Sequence, residues 1–489
     1  MNEQNEMTFE EKLRSVFADM LVYKSVQRTK MFSALNIPSF MRDWIVMRFS
    51  DDEGNIDAEY VGSYIKKIIP GKQQWNNYMV DMLHSNKSVK FLTRLRIEFD
   101  TKSKKALFSL PVFNVPSHKG DAVAYWNVIE KNRDYLLTPT DVWGIVELAV
   151  EMDKNGKNIL MLKGFTPFCP YKVELSYFIK ARQYFTVEEW IDLLIGAADY
   201  SAENYGTIEQ KLAVLKRLLP FIEENLNLIE LAPKETGKSY MFSQLSQYSW
   251  LVSGGSISRA RLFYDINKKS NGLVSRYDVV AFDEISSIHF ADPFEISGAL
   301  KGYLESGNFF VGDYHGTGSA GLMLLGNIPA ESMNVDCDMT EMLPDIFHDS
   351  AMLDRFHGFV EGWKIPKMKE ARKADGFALN TEYFSEILHL LREETVYRGV
   401  VDKLLIVPGS AATRDTEAIK RLCTAYLKLL FPNVRNECDI EPDMFKKYCL
   451  DPAKHMRGII KRQLSIIDPL EFKNAELPDI QVKGNNEDA

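Results

Sequence analysis

The sequence predicts an α/β fold built on a parallel sheet with a phosphate-binding loop, preceded by a smaller α+β unit and followed by helices. Three observations predict it. Asn227 to Leu231 (NLIEL) is a short apolar run that leads directly into Ala232, Pro233, Lys234, Glu235, Thr236, Gly237, Lys238 and Ser239, which is Walker A spacing. Roughly forty residues later, a second apolar run from Asp278 to Phe282 ends on Asp283 and Glu284. Before both, Val89, Phe91, Leu95, Ile97 and Phe99 alternate with Lys90, Arg94, Arg96 and Glu98, the period of a half-buried strand.

Size and charge set the bounds. The 489 residues leave room for about three packed units, and 45% hydrophobic with 26% charged residues is an ordinary globular composition. No uncharged apolar run approaches the ~18 residues that a membrane span requires. Met1 to Glu11 is polar and acidic, unlike an export signal, so the cytoplasm is the expected location. A net charge of −9 argues against a protein that coats nucleic acid over its whole surface, while leaving room for a basic channel. The five cysteines, at 169, 337, 423, 438 and 449, have neither disulfide-framework nor zinc-ribbon spacing, so no structural metal is expected.

Taken in order, the chain begins with a helical period from Asn2 to about Lys67, carried by Phe9, Leu13, Val16, Phe17, Met20 and Leu21. The alternating strand from Val89 ends at Thr101, Lys102, Ser103, Lys104 and Lys105, and Ala106 to Leu110 returns, giving a hairpin with a basic tip. Val142 to Val150 is a further apolar, partly β-branched stretch. Residues 1–150 are therefore read as an N-terminal unit and 151–205 as a connecting segment, with the nucleotide core over 206–375 and helices with a polar tail over 376–489. A capping box of Thr186 with Glu189, and Phe185 against Trp190, announce a helix to about Ala197; another runs from Ile208 to Leu219 and stops at Pro220. The last residues, Lys483 to Ala489, read as a disordered tail.

The chemistry concentrates after Asn227. Backbone N–H groups of a Walker A loop cradle phosphates, Lys238 would reach the β and γ phosphates, and the Ser239 hydroxyl would bind magnesium. The first glycine of the motif is replaced by Ala232, which tolerates close approach but disfavours positive φ, so an altered loop shape is expected. A buried parallel strand delivers its last residues to the ligand crevice; there Asp283 would orient the magnesium shell and Glu284 would polarise the attacking water. Gly321 to Leu325 reads as a third such strand, and Asn327 beyond it either positions the lytic water or simply makes a turn. Arg355, after Leu353 and Asp354, suits an arginine finger or a surface salt bridge. Thr413 to Leu430 forms a helix with Ile419, Leu422, Cys423, Tyr426, Leu429 and Leu430 on one face; Arg414 in its first turn opposes the macrodipole and so calls for an anion.

With those residues in hand, the chain resembles the BrxL family, the Lon-protease-like AAA+ proteins of bacteriophage-exclusion (BREX) defence. The resemblance runs through IPSFMRDWIV (37–46), LLTPTDVWGIVEL (136–148), FTVEEWIDLL (185–194), NLIELAPKETGKSY (227–240), LVSGGSISRARLFYD (251–265), DVVAFDE (278–284) and LDRFHGFVEGW (353–363), covering most of residues 35–470. The core also looks like that of MCM helicases. The fold this implies is an α/β AAA+ P-loop ATPase core with an N-terminal α+β (MCM-N/OB-like) domain and a C-terminal helical lid. The resemblance also implies that Asn327 is sensor 1, Arg355 the arginine finger and Arg414 sensor 2. The cofactors would be ATP and Mg2+, the latter held by Ser239 and Asp283. The assembly would be a homo-hexameric ring, or two such rings paired, that encircles double-stranded DNA. Lys102, Lys104 and Lys105 are then candidate phosphate contacts, with a solvated loop as the alternative.

Two departures qualify that picture. Relatives continue into a Lon-like domain, whereas about 20 residues follow Leu470 here, so a short form without protease activity is expected. Pro408, Gly409, Ser410, Ala411 and Ala412, with Lys454 downstream, faintly echo a Ser-Lys dyad but read better as a helix-entry turn. The segment from Asn308 to Ala320 (NFFVGDYHGTGSA), where MCM-like motors place a basic pore hairpin, offers Tyr314 and His315 but no lysine or arginine. A DNA-encircling ATPase is the leading expectation. A protein-remodelling ATPase and a nucleotide-gated scaffold are the alternatives, and other defence proteins would be partners without any membrane attachment.

Overall fold

The computed structural model describes residues 7–25, 32, 37, 39–50, 56–138, 140–153, 156–168, 173–368, 374–473 and 476–484. The chain divides into two compact units, Arg48–Lys172 and Met1–Met47 together with Val173–Ala489. Each is considered by itself.

In the first unit, β1 (Val89–Asp100), β2 (Lys105–Ser109), β3 (Ala122–Ala124), β4 (Val142–Met152) and β5 (Asn158–Pro167) close into a barrel in the order β1-β2-β3-β5-β4. All neighbours are antiparallel except the parallel pair β3–β5. Alternation builds its core: Phe91, Leu95, Ala106, Phe108, Val146, Leu148 and Leu162 point inward and are buried. Gly144 is required where β4 meets β5, because a Cβ there would lie 2.3 Å from the Phe165 ring. The helix Trp75–His84 closes against this core, with Tyr78 stacked on Phe91 and Trp75 on Phe113. In the β1–β2 turn the Asp100 carboxylate accepts the Lys102 N–H at 3.0 Å and the Ser103 hydroxyl at 2.6 Å.

The second unit contains a five-stranded parallel sheet. Its strands are β6 (Leu228–Ala232), β7 (Ser249–Ile257), β8 (Val279–Phe290), β9 (Gly321–Asn327) and β10 (Gly358–Glu361), in the order β10-β6-β9-β8-β7. All of β6 and all of β9 except Asn327 are buried, which is why neither alternates apolar with polar residues and Glu230 is the one charged residue in them. Helices include Val187–Ala197, Lys238–Gln244, Pro293–Ser306, Thr381–Glu393, Thr413–Leu430 and Asp451–Ile467. The α/β class is borne out, as are the Thr186–Glu189 capping box, the Phe185–Trp190 contact and the bounds of Thr413–Leu430.

Several expected boundaries move. The helical period of the N-terminus holds for Phe9–Phe17, Ser39–Phe49 and Ala58–Ile68 but is interrupted, since Leu21 starts a short strand, Leu21–Lys24, paired antiparallel with Gly376–Leu379. Four residues, of which Leu21, Val22 and Lys24 are buried, carry no strand period that could stand out from the helical spacing. Residues 2–6, 26–31, 33–36, 38 and 51–55 of that stretch lie outside the described residues, as do Cys169 and 485–489 of the tail. β4 and β5 form one antiparallel pair running to Pro167, and residues up to Met47 group with the sheet. Helical structure continues past Pro220 through Leu219–Ile222, since Pro in a first turn forfeits no hydrogen bond. Among the described residues, no helix is long and apolar enough to cross a membrane.

Candidate functional site

At the C-terminal edge of the sheet, β6 ends on Ala232 and the chain turns through 233–237 into the helix Lys238–Gln244. Gly237 caps that helix at φ +76°, a conformation that favours glycine. Ala232 stays in the strand, opposite Asn327 of β9, and the non-glycine residue with positive φ in the loop is Glu235 (+69°). Ala232 is therefore not asked to adopt a positive φ. Its methyl is accommodated by Gly362, where a Cβ would approach the Ala232 Cβ to 2.3 Å.

The loop rests on a buried ion pair that the sequence reading did not single out. Arg217 and Glu230 are fully buried and joined by two hydrogen bonds of 2.5 and 2.9 Å, and the same guanidinium donates to the Thr236 carbonyl at 2.9 Å and the Thr236 hydroxyl at 3.3 Å. The signal was available: a glutamate inside a wholly buried strand requires a cationic partner. Tyr200 donates to the Gly237 carbonyl at 3.1 Å. On the far side of the helix, the Tyr240 hydroxyl donates to Asp199 at 2.9 Å, and Asp199 also accepts from Lys24 and Arg42 at 2.6 Å each. Burial alone would raise the Asp199 carboxyl, but Arg42 and Lys24 hold it well below the usual range.

The predicted phosphate and water groups meet here. The Lys238 ammonium donates to the Asn327 Oδ1 at 2.6 Å and to the Gly326 carbonyl at 3.2 Å. Burial lowers its pKa, with Glu230 and Asp283 pulling the other way. Asp283, buried at the end of the first of two paired stretches of β8, accepts the Glu284 N–H at 3.0 Å. Glu284 is exposed with φ +49°, and the β8 pairing shifts register directly after Asp283. The strand bulges there and continues to Phe290, so the two carboxylates lie within it rather than at its end as the sequence suggests. Ser239 lies one residue past Lys238 on the same first helical turn.

The two arginines lie elsewhere. Since β10 is parallel to β6, with Gly358 beside Leu228, Arg355 precedes the sheet's N-terminal edge, whereas Lys238 lies beyond its C-terminal edge. The five residues of β6 separate the edges by ~16 Å. Arg355 and Arg414 share a cavity of about 340 Å³ with Glu305, Asp354, Glu417 and Arg421. Glu305 binds both, at 2.8 Å to Arg355 and 3.1 Å to Arg414, and Asp354 accepts from Arg414 at 2.7 Å. Asp354 is held in turn by the fully buried Arg457 at 2.5 Å.

The remaining candidates fall into three places. Lys102 and Lys104 are exposed at the β1–β2 turn and Lys105 begins β2. Asn308–Val311 and Tyr314–Thr317 form the expected hairpin, but the Tyr314 ring stacks on Tyr264 with centroids 3.6 Å apart, and His315 packs edge-on against Phe310. Tyr264 opens a neighbouring hairpin, Tyr264–Asp265 with Ser270–Asn271, whose tip carries Lys268 and Lys269. The first hairpin lacks cations, and the second brings them beside it, a juxtaposition invisible in the linear sequence. Ser410 is exposed in the turn before Thr413–Leu430, and the Lys454 ammonium donates to the Ile480 carbonyl at 3.0 Å.

Comparison with known proteins gives a consistent result. A family profile described as "Lon-like protease BrxL-like, ATPase domain" matches residues 160–478, and one described as "BREX system Lon protease-like protein BrxL N-terminal" matches residues 15–150. A protein of Escherichia coli O9:H4 (strain HS) named "Lon-like protease BrxL" is 27% identical over 474 residues, 94% of this chain and 65% of that protein. One of the same name from Bacillus cereus (strain H3081.97) is 29% identical over 494 residues, 98% of this chain and 70% of that protein. The chain therefore spans about two thirds of the length of these relatives.

Proposed function

This chain belongs to the BrxL family, and on that premise we propose that it is a ring-forming AAA+ ATPase of BREX-type defence that encloses double-stranded DNA and couples ATP hydrolysis to movement on, or remodelling of, that DNA. One observation carries the reading: the phosphate-binding groups and the two arginines lie at opposite edges of one parallel sheet. A single subunit cannot bring them to one phosphate, but a neighbour stacked head to tail can, and head-to-tail contacts close into rings.

The residues at the C-terminal edge fit a magnesium nucleotide. A left-handed glycine opens the helix, an ammonium stands at the strand ends, and the Ser239 hydroxyl and Asp283 carboxylate supply the hard oxygen donors that Mg2+ prefers. Bound ATP would supply the phosphoryl group to be transferred. Lys238 would exchange its bond to Asn327 for the β and γ phosphates, freeing the Asn327 amide to orient water. Glu284 would take that water's proton. Arg355 and Arg414 of the adjoining subunit would release Glu305 and stabilise the charge growing on the transferred group. The C-terminal helices, with Arg414 on one of them, would act as the lid, and the 89–167 barrel as an OB-like collar whose lysines face phosphates. Proteolysis is not part of the proposal.

The test is ATP turnover with and without duplex DNA, together with imaging of the protein on DNA. Turnover should rise with duplex, binding should weaken steeply with salt, and Glu284→Gln should retain ATP in a ring with DNA through its hole. Hydrolysis indifferent to DNA but stimulated by an unfolded polypeptide would replace this reading with protein remodelling.

A further inference from the structure

The barrel carries an exposed aromatic pair that neither its core nor the nucleotide site uses. Phe99, at the end of β1, and Trp126, which opens the helix Trp126–Lys131, are 48% and 51% exposed. Their rings are offset-stacked, with centroids 5.9 Å apart and planes 15° from parallel. Register explains their place. Phe99 pairs with Ala106 of β2, and Ala106 pairs with Ala124 of β3, two residues before Trp126. Phe99 thus continues the inward-facing series of Leu95 and Ile97 past the last layer that the barrel can enclose. Both rings emerge at the end of the barrel that carries the β1–β2 turn.

That turn presents Lys102 and Lys104 to solvent, with Lys105 beside them. The carboxylates of the same strand are engaged: Asp100 accepts from the Lys102 N–H and the Ser103 hydroxyl, and Glu98 accepts from Ser117. The result is a flat aromatic ledge, too small for the anchors of a folded partner, edged by cations within one turn of chain. Aromatic faces bind nucleobases by stacking, which bases inside a duplex cannot offer and successive unpaired bases can, while cations alongside follow the phosphates.

We propose that Phe99 and Trp126, flanked by Lys102, Lys104 and Lys105, form a stacking platform for unpaired bases of a DNA strand, so that the protein favours DNA with a single-stranded end over a blunt duplex. The inference rests on the reading that the chain acts on DNA, and it adds a strand-state preference that encirclement of duplex does not require.

The experiment measures binding of the full chain to a blunt duplex and to the same duplex with a single-stranded tail of about ten nucleotides. The tail should raise affinity about tenfold, and the double variant Phe99→Ala/Trp126→Ala should bind both DNAs alike. Equal affinity of the unaltered chain for both DNAs overturns the platform while leaving duplex encirclement intact; binding to neither overturns both. A tail carrying 5-iododeoxyuridine, photo-cross-linked to the unaltered chain, gives a readout independent of variant folding. Cross-links at Phe99 or Trp126 support the platform, and cross-links confined to other residues overturn it.

Discussion

The two edges of the central sheet are built on opposite terms. At the C-terminal edge the Walker loop lies over Arg217 and Glu230, both fully buried and mutually satisfied, so its shape is fixed from beneath. At the N-terminal edge Arg355 and Arg414 share the half-exposed carboxylate of Glu305, Arg414 also binds Asp354, and both line an open cavity. A buried pair with several hydrogen bonds is costly to break, whereas an ion pair near the surface contributes little. One edge is pre-formed for a ligand of its own; the other holds its cations loosely enough to give them to something else.

The largest way to break this contrast is Lys238→Ala, which should reduce ATP turnover to background and abolish nucleotide binding, measured by a phosphate-release assay and nucleotide fluorescence. Arg355→Ala should lower turnover ~10³-fold with nucleotide still bound. An equal mixture of those two variants sharpens the comparison. If the edges meet only between subunits, random assembly leaves about a quarter of interfaces intact and turnover partly recovers; a mixture as inactive as its components would place both edges in one subunit's site. Arg217→Met should cost ~3–5 kcal/mol of stability by leaving Glu230 buried and alone, seen as a large fall in Tm. The smallest effect lies away from both edges, at His389. Burial alone would lower the His389 imidazole, but the Asp278 carboxylate at 2.7 Å and Glu386 outweigh it and raise it above its ordinary value. A raised histidine stabilises the fold fully below its unfolded pKa of ~6.5 and loses that contribution as pH climbs through the folded value. His389→Gln should therefore lower Tm by about 2 °C near pH 6, with a difference that shrinks as pH is raised.

The C-terminal edge was legible in the sequence because parallel strands buried on both faces read as apolar runs, and their last residues are the ones that face ligand. Lys238, Asp283 and Asn327 come from three separate runs, and the sheet order brings them to one edge. The β1–β2 hairpin was legible for a different reason, the alternation of Val89 to Phe99. What lay beyond reading was pairing at a distance. Gly362 answers Ala232 from 130 positions away, Glu305 reaches both arginines, and the Lys268 hairpin stands beside Tyr314 through one ring stack. No local period records such contacts. The extent of the barrel was misjudged because β5 follows a turn inside what looked like a connector, and the strand Leu21–Lys24 is too short to declare its own period.

The pairing of Leu21–Lys24 with Gly376–Leu379 has a consequence for biosynthesis. During translation the first of these strands leaves the ribosome roughly 350 residues ahead of its partner, so it must wait, unpaired and half apolar, while the barrel and most of the sheet emerge behind it. Leu21–Lys24 is thus made long before it can settle against Gly376–Leu379, and any chaperone that attends its synthesis would find a long-lived target there.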